Sequence, residues 1–357
     1  MKSLCSNAET LFFAVTLDVS FRTGILVAKK ITFTRAWNFF RVYTSYYFSR
    51  LTGKPAVKGL PVSVAIEPTT SCNLRCPECP SGLRDFTRPT GMLEEKFFRS
   101  AIDQLSSHLL YLTFYFQGEP FLNPKFLEMV SYAASKKIFT STSTNAHYFD
   151  DEVAKRTIES GLDRLIISID GTTQETYAAY RIGGELEKVI EGTKKIIRWK
   201  KELRSATPQV IFQFLVVKPN EHQVEDVKKL AEDLGVDEVL LKTAQIYDYE
   251  NGHELIPDQE KYSRYKKQSN GKWKIKNELE NHCWKMWSSN VITWDGAVVP
   301  CCFDKDAKHK LGSLKNNSFE KIWFSEEYNR FRASVMKSRS EIDICKNCSE
   351  GTKVWAS

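Results

Sequence analysis

Glu67-Pro68-Thr69-Thr70-Ser71-Cys72-Asn73-Leu74-Arg75-Cys76-Pro77-Glu78-Cys79-Pro80 is the stretch that decides how this chain is read. Its three cysteines have the spacing C-x3-C-x2-C and follow an apolar run, 62–66, that reads as a strand. A structural zinc site takes four tetrahedral ligands, and this loop offers three. Three thiolates suit instead a 4Fe–4S cubane with one iron left open to another molecule.

Outward from that loop, residues 62–250 alternate short β-rich runs with helical patterns. Strands are expected at 62–66, 110–116, 138–144, 165–169, 210–217 and 239–242. Helices are expected near 94–105, after Pro124, and near 151–159, 185–199 and 224–234. Such alternation implies right-handed crossovers and a parallel sheet. Six units fall short of a closed eight-unit barrel. The expected fold is therefore α/β, a partial (β/α)6 TIM-like barrel with a small C-terminal iron–sulfur domain. Chemistry in such sheets sits on loops leaving the carboxyl ends of the strands.

Four blocks are expected: an N-terminal extension at 1–60, the barrel at 61–250, a polar connector at 251–279 and a cysteine-containing unit at 280–350. In the last, 291–294 and 297–300 read as a hairpin turning at Asp295-Gly296, with a helix near 319–336. In the first, Phe33, Trp37, Phe40, Thr44, Tyr47 and Leu51 recur in steps of four and three and mark one helix face. That stripe reads foremost as a face capping the barrel, and otherwise as an anchor on an anionic membrane surface or a docking site for a peptide leader or an acidic partner protein.

The chain has 357 residues, nine cysteines and a net charge of +7. No run approaches the roughly 20 apolar residues that span a bilayer. The odd cysteine count and its clustering fit metal ligation in a reducing compartment rather than a disulfide framework. The short apolar run 11–15 lacks the features of a signal peptide, so a cytoplasmic protein is expected, with peripheral membrane contact through residues 1–60 as the sharper variant. Residues 1–66 hold nine Lys and Arg against Glu9 and Asp18, the whole formal excess. The remainder is balanced, and no nucleic-acid partner is expected.

Cys72, Cys76 and Cys79, taken with Gln117-Gly118-Glu119-Pro120, resemble the radical S-adenosylmethionine (SAM) superfamily. Cys283 through Cys348 resembles its C-terminal SPASM/twitch extension. The resemblance implies two 4Fe–4S clusters, SAM as cofactor, an external electron donor such as flavodoxin or ferredoxin, and a peptide or small-metabolite substrate. It implies reductive cleavage of SAM to a 5′-deoxyadenosyl radical that abstracts a substrate hydrogen. It also implies that Gly118 and Glu119 hold the methionine amino group, and that Ser168 and Arg181 contact the cofactor. Asp170 and Asn145 are weaker candidates. Glu78 departs from the pattern, since the residue before the third cysteine is usually aromatic in this superfamily and packs near the adenine.

In the extension, Cys283 is followed by 17 residues and Cys301, with Gly296 giving the G-x4-C hairpin, and then by 43 residues and Cys345-Lys346-Asn347-Cys348. Four ligands would complete one auxiliary cluster, which resembles the single-cluster twitch version. Full ligation leaves no iron for substrate and suits an electron acceptor. Cys302 could exchange roles with Cys301, though strand alternation places it on the other face, and Cys5 reads as an incidental thiol. Asp295, Asp304, Asp306 and His282 are the acid–base candidates near that set. The rival reading is a zinc-binding, non-catalytic scaffold on a degenerate barrel, because four thiolates also suit tetrahedral zinc.

Overall fold

A computed structural model of the protein describes residues 21–348, so Cys5 and the apolar run 11–15 lie outside the described residues. Six parallel strands stand side by side in chain order: β1 (Ser63–Ile66), β2 (Tyr111–Thr113), β3 (Phe139–Thr144), β4 (Arg164–Ser168), β5 (Gln209–Val216) and β6 (Glu238–Thr243). Helices cover the outer side, among them Glu95–Leu105, Phe126–Ser135, Asp151–Glu159, Leu186–Glu202 and Val224–Leu234. Their apolar faces pack on the sheet in one core that includes Phe98, Met129, Val189, Phe212 and Val227. Local chemistry sets several boundaries. Asp150 accepts from Val153 N at 2.8 Å to start one helix, and Gly235, at φ +75°, ends another in the left-handed region.

β3 has the sequence FTSTST and is almost wholly buried, although five of its six residues carry hydroxyls. Ser143 Oγ lies 3.4 Å from Ser168 Oγ at the end of β4, while Thr142 Oγ1 donates to Phe114 O. The interior near the strand ends is therefore polar.

The expected hairpin forms, but it joins the barrel sheet rather than standing apart. β9 (Ser289–Ile292) pairs in parallel with β1, and β10 (Ala297–Val299) and β11 (Gly312–Ser313) continue outward antiparallel. The polar stretch 251–279 contains a small hairpin of its own, β7 (Tyr265–Lys267) with β8 (Trp273–Ile275). Tyr265, Leu255 and Ile256 from this segment pack with Leu74 and Cys76 in a second core beside the cysteine loop. The pattern at 319–336 resolves into two helices, Phe319–Trp323 and Glu326–Ser338.

The N-terminal block forms α1 (Phe21–Ala28) and α2 (Phe33–Thr52). The aromatic stripe of α2 faces the opposite way from the capping expectation. Phe33 and Leu51 are each 87% exposed and Trp37 54%, while the buried face is Arg35, Asn38, Val42, Ser45, Tyr46 and Ser49. The reason lies in backbone groups that need partners. Arg35 donates to the carbonyls of Lys30, Ser106 and Lys136 at 2.7–2.9 Å, the last two capping barrel helices. Asn38 bonds both the N–H and the carbonyl of Leu60.

Candidate active site

The cysteine loop leaves the carboxyl end of β1, and the loops after β2, β3 and β4 close on it. Gly118 N donates to Ser81 Oγ at 2.9 Å, and Glu119 N donates to Ser71 O at 2.8 Å, seating the turn after β2 against the cysteine loop. Gly118 has φ +75°, and a Cβ there would lie 2.3 Å from Thr69 O. Only glycine fits, on conformation and space together. Gly118→Ala is expected to cost about 1–3 kcal/mol, read as a lowered urea midpoint; an unchanged midpoint would contradict this packing.

From the other loops, Asn145 Nδ2 donates to Asn73 Oδ1 at 2.8 Å and sits 4.0 Å from Cys72 Sγ. Arg181 Nη1 lies 3.7 Å from Cys76 Sγ, and Cys79 Sγ lies 3.9 Å from Gln117 Oε1. Ser168 is buried at the end of β4, beside Ser143. Asp170, fully buried, accepts from Leu215 N and from Arg181 Nε, so it aims the guanidinium at the cysteine loop. Both oxygens of Glu119 are engaged within the fold, accepting from Thr144 Oγ1, Asn145 N and Phe121 N. Burial pushes its carboxyl up to about 7. Glu119 thus fixes the turn that carries Gly118.

Burial also drives Cys72 up to about 12 and raises Cys76. Protonated thiols of this kind are poor free nucleophiles, whereas a metal displaces the proton and supplies the missing positive charge. Among the described residues, no three His, Cys, Asp or Glu side chains gather closely enough to hold a single metal ion. Three thiols on one loop are one short of a structural zinc site and fit a cubane, in which each binds its own iron.

Glu78 has a distinct task. It accepts from Tyr247 N at 2.9 Å, with His253 Nε2 3.7 Å away, and so ties the third cysteine's neighbourhood to the loop after β6. The same loop reaches the second cysteine set. Ile246 O accepts from Asn347 Nδ2 at 2.7 Å, inside Cys345-Lys346-Asn347-Cys348, and Tyr265 Oη donates to Asn347 Oδ1 at 2.9 Å.

Cys283, Cys301, Cys345 and Cys348 line one small cavity with Met286, Phe303 and Val335; Cys302 is exposed and is not part of the lining. Burial raises Cys345 to about 11 and pushes Cys301 well up. Arg339, 1% exposed, lies 3.4 Å from Cys348 Sγ through Nη2 and donates to His282 O. Each cysteine set therefore has an arginine against one of its sulfurs, Arg181 for the first and Arg339 for the second.

The acid–base candidates are all occupied elsewhere. Asp295 accepts from Thr293 Oγ1 in the hairpin turn. Asp304 accepts from Lys308 N and His309 N, and Asp306 from Thr87 N. His282 pairs with Tyr46 Oη at 2.9 Å and with Glu280. A further group beside the first set is Lys305, within electrostatic reach of Cys79 and of Cys302, the exposed neighbour of Cys301. It donates to Tyr247 Oη at 3.0 Å, and burial lowers its ammonium. Nothing in the local sequence distinguishes it from a solvated lysine.

His147 holds the rim together in its neutral form. Its Nε2 accepts from Glu185 N at 2.8 Å, which leaves Nδ1 to donate to Asn145 O. Burial lowers its pKa, so the unfolded chain binds the proton first as pH falls. Its contribution to stability is complete above about 6.5 and is lost as pH falls below that value. His147→Gln is expected to flatten the pH dependence of the thermal midpoint in this window; an identical slope in wild type and variant would refute the assignment.

Comparison with known proteins agrees with this geometry. Residues 66–234 match the radical SAM superfamily, and residues 283–349 match the SPASM iron–sulfur cluster-binding domain. The tungsten-containing aldehyde ferredoxin oxidoreductase cofactor-modifying protein of Pyrococcus furiosus is 28% identical over 300 residues, covering 75% of this chain and 82% of that protein. Among solved structures, Streptococcus suis SuiB bound to SAM superposes with a TM-score of 0.61 at 12% identity, covering 87% of this chain and 77% of that one. BtrN in complex with AdoMet and 2-DOIA superposes at 0.51 and 17% identity, covering 82% and 95%. These neighbours share the partial-barrel fold. A radical SAM domain implies a 4Fe–4S cluster and SAM, and a SPASM domain implies auxiliary iron–sulfur binding. The chain belongs to the radical SAM superfamily and carries a C-terminal SPASM domain.

Proposed function

We propose that the protein is a radical SAM enzyme that oxidises or otherwise modifies a peptide, protein or small metabolite. Convergence of the loops after β1, β2, β3 and β4 on Cys72, Cys76 and Cys79, of which Cys76 is buried and the other two half-buried, is the observation that carries this reading. When bound, the cluster and SAM supply one-electron cleavage of the sulfonium C–S bond, giving methionine and a 5′-deoxyadenosyl radical that takes a substrate hydrogen.

The chain's residues do the rest. Cys72, Cys76 and Cys79 would each hold one iron and leave the fourth for the methionine moiety. Gly118 brings backbone close to the cysteine loop, where carbonyls can accept from an ammonium group. Ser168, with Ser143, offers hydroxyls at the polar rim, and Arg181 offers a cation there. Cys283, Cys301, Cys345 and Cys348 would complete an auxiliary cluster with no open iron, which suits them to accept an electron from a substrate-derived radical. Lys305, near Cys79 and Cys302 and hydrogen-bonded to Tyr247 Oη, is the group we assign to orient the substrate or take up its proton.

Anaerobic reconstitution tests the reading. About eight irons per chain, as two cubanes require, and release of 5′-deoxyadenosine on reduction are expected. Stoichiometric zinc without SAM cleavage would establish the scaffold reading instead.

A further inference from the structure

We infer that α2 docks the enzyme flat on an anionic lipid bilayer. The helix is amphipathic in the inverted sense, with its polar face buried and its apolar face turned to solvent. Phe33, Trp37, Phe40, Tyr47, Phe48 and Leu51 are exposed by 42–87% and lie along one side. Phe33 and Leu51 end a stripe of about 27 Å at 1.5 Å per residue. A patch of that size on a monomer calls for a partner.

Charge identifies the partner. Residues 21–60 contain eight Lys and Arg and no Asp or Glu. Of these, Lys29, Arg41, Lys54 and Lys58 are exposed and form no ion pair among the described residues. Arg41 flanks the stripe on one side. Arg50, its guanidinium over the Tyr46 and Tyr47 rings, flanks it on the other. Cations bordering an apolar stripe rich in Trp, Tyr and Phe match the boundary between headgroups and acyl chains. A second copy of the chain fits poorly, because it would set these cations against one another. Among the described residues no helix is long and apolar enough to cross a membrane, so the helix would lie in the surface.

The buried side of α2 gives the docking a direction. Val42 and Tyr46 pack with Met286 and Trp287 in a cluster that also touches Cys283 and Cys301. The second cysteine set therefore sits directly behind the lipid-facing helix.

Co-sedimentation of the full-length, cluster-loaded protein with vesicles tests the proposal. Binding to phosphatidylcholine vesicles containing about 30 mol% phosphatidylglycerol is expected to be at least tenfold tighter than to phosphatidylcholine alone. It should weaken severalfold on raising salt from about 0.1 to 0.5 M. The variant Phe33→Ser/Trp37→Ser/Leu51→Ser alters only exposed side chains; it should keep its iron and circular dichroism and lose at least tenfold in binding. Wild-type protein that stays in solution with the anionic vesicles would overturn the proposal, as would a triple variant that binds as well as wild type. So would a dimer, seen by light scattering, that the triple variant dissolves without any vesicle binding, because the stripe would then be covered by a second copy.

Discussion

Cys76→Ala is expected to abolish 5′-deoxyadenosine release, whereas Cys345→Ala should leave it near the wild-type rate. Each variant should also lose about four of the roughly eight irons, since each removes a ligand from a different cubane. The two changes are chemically identical, so their contrast isolates the division of labour between the cysteine sets. It also needs no knowledge of the substrate, because cleavage of SAM by reductant is the readout. The physical basis is separation. Cys76 lies on the loop after β1, against Arg181, while Cys345 lines the cavity shared with Cys283, Cys301 and Cys348. If Cys345→Ala lost cleavage as completely as Cys76→Ala, the two sets would not act separately and the electron-acceptor role would fail.

The largest expected effect on stability is at Arg88. Its guanidinium makes two hydrogen bonds to the Glu67 carboxylate, with Nη1 to Oε2 at 2.8 Å, and Glu67 is fully buried at the end of β1. Glu67 also accepts from Trp294 N in the hairpin turn, and Arg88 Nε donates to Lys305 O. One ion pair thus fastens the strand that presents the cysteine triad to the segment that carries Cys301. Arg88→Met removes one partner and leaves a carboxylate without compensation in the core, which costs about 3–5 kcal/mol. The urea midpoint should fall accordingly. The double variant Glu67→Gln/Arg88→Met should recover part of the loss, because the uncompensated charge is gone. A cost of less than about 1 kcal/mol for Arg88→Met would mean that solvent reaches the pair.

Much of this architecture is legible in the residues. The alternation of β-rich and helical periods locates all six barrel strands to within a few residues, because the strands read as short apolar or, in β3, threonine-rich runs between helical patterns. The gathering of Cys283, Cys301, Cys345 and Cys348 around one cavity follows their spacing. What is hidden is orientation and long-range pairing. Periodicity locates the apolar face of α2 but not the direction it points. That direction depends on Arg35 and Asn38 finding carbonyls at Ser106, Lys136 and Leu60. Glu78 looks like a defect in the motif until Tyr247, 169 residues away, is found on it. Lys305 and Arg339 gain significance only from the sulfurs near them, and no local pattern announces such neighbours.

The parallel pairing of β9 with β1 also bears on how the chain is made. Ile66 pairs with Ile292, a separation of 226 residues. At about 5–20 residues per second, synthesis leaves β1 without that neighbour for roughly 10–45 s. Throughout that interval the strand bearing the cysteine triad is an edge, with unpaired N–H and C=O groups open to other chains. Nascent protein is therefore most exposed to mispairing at the very element that will carry its chemistry. A chain stopped before residue 289 would keep that edge permanently.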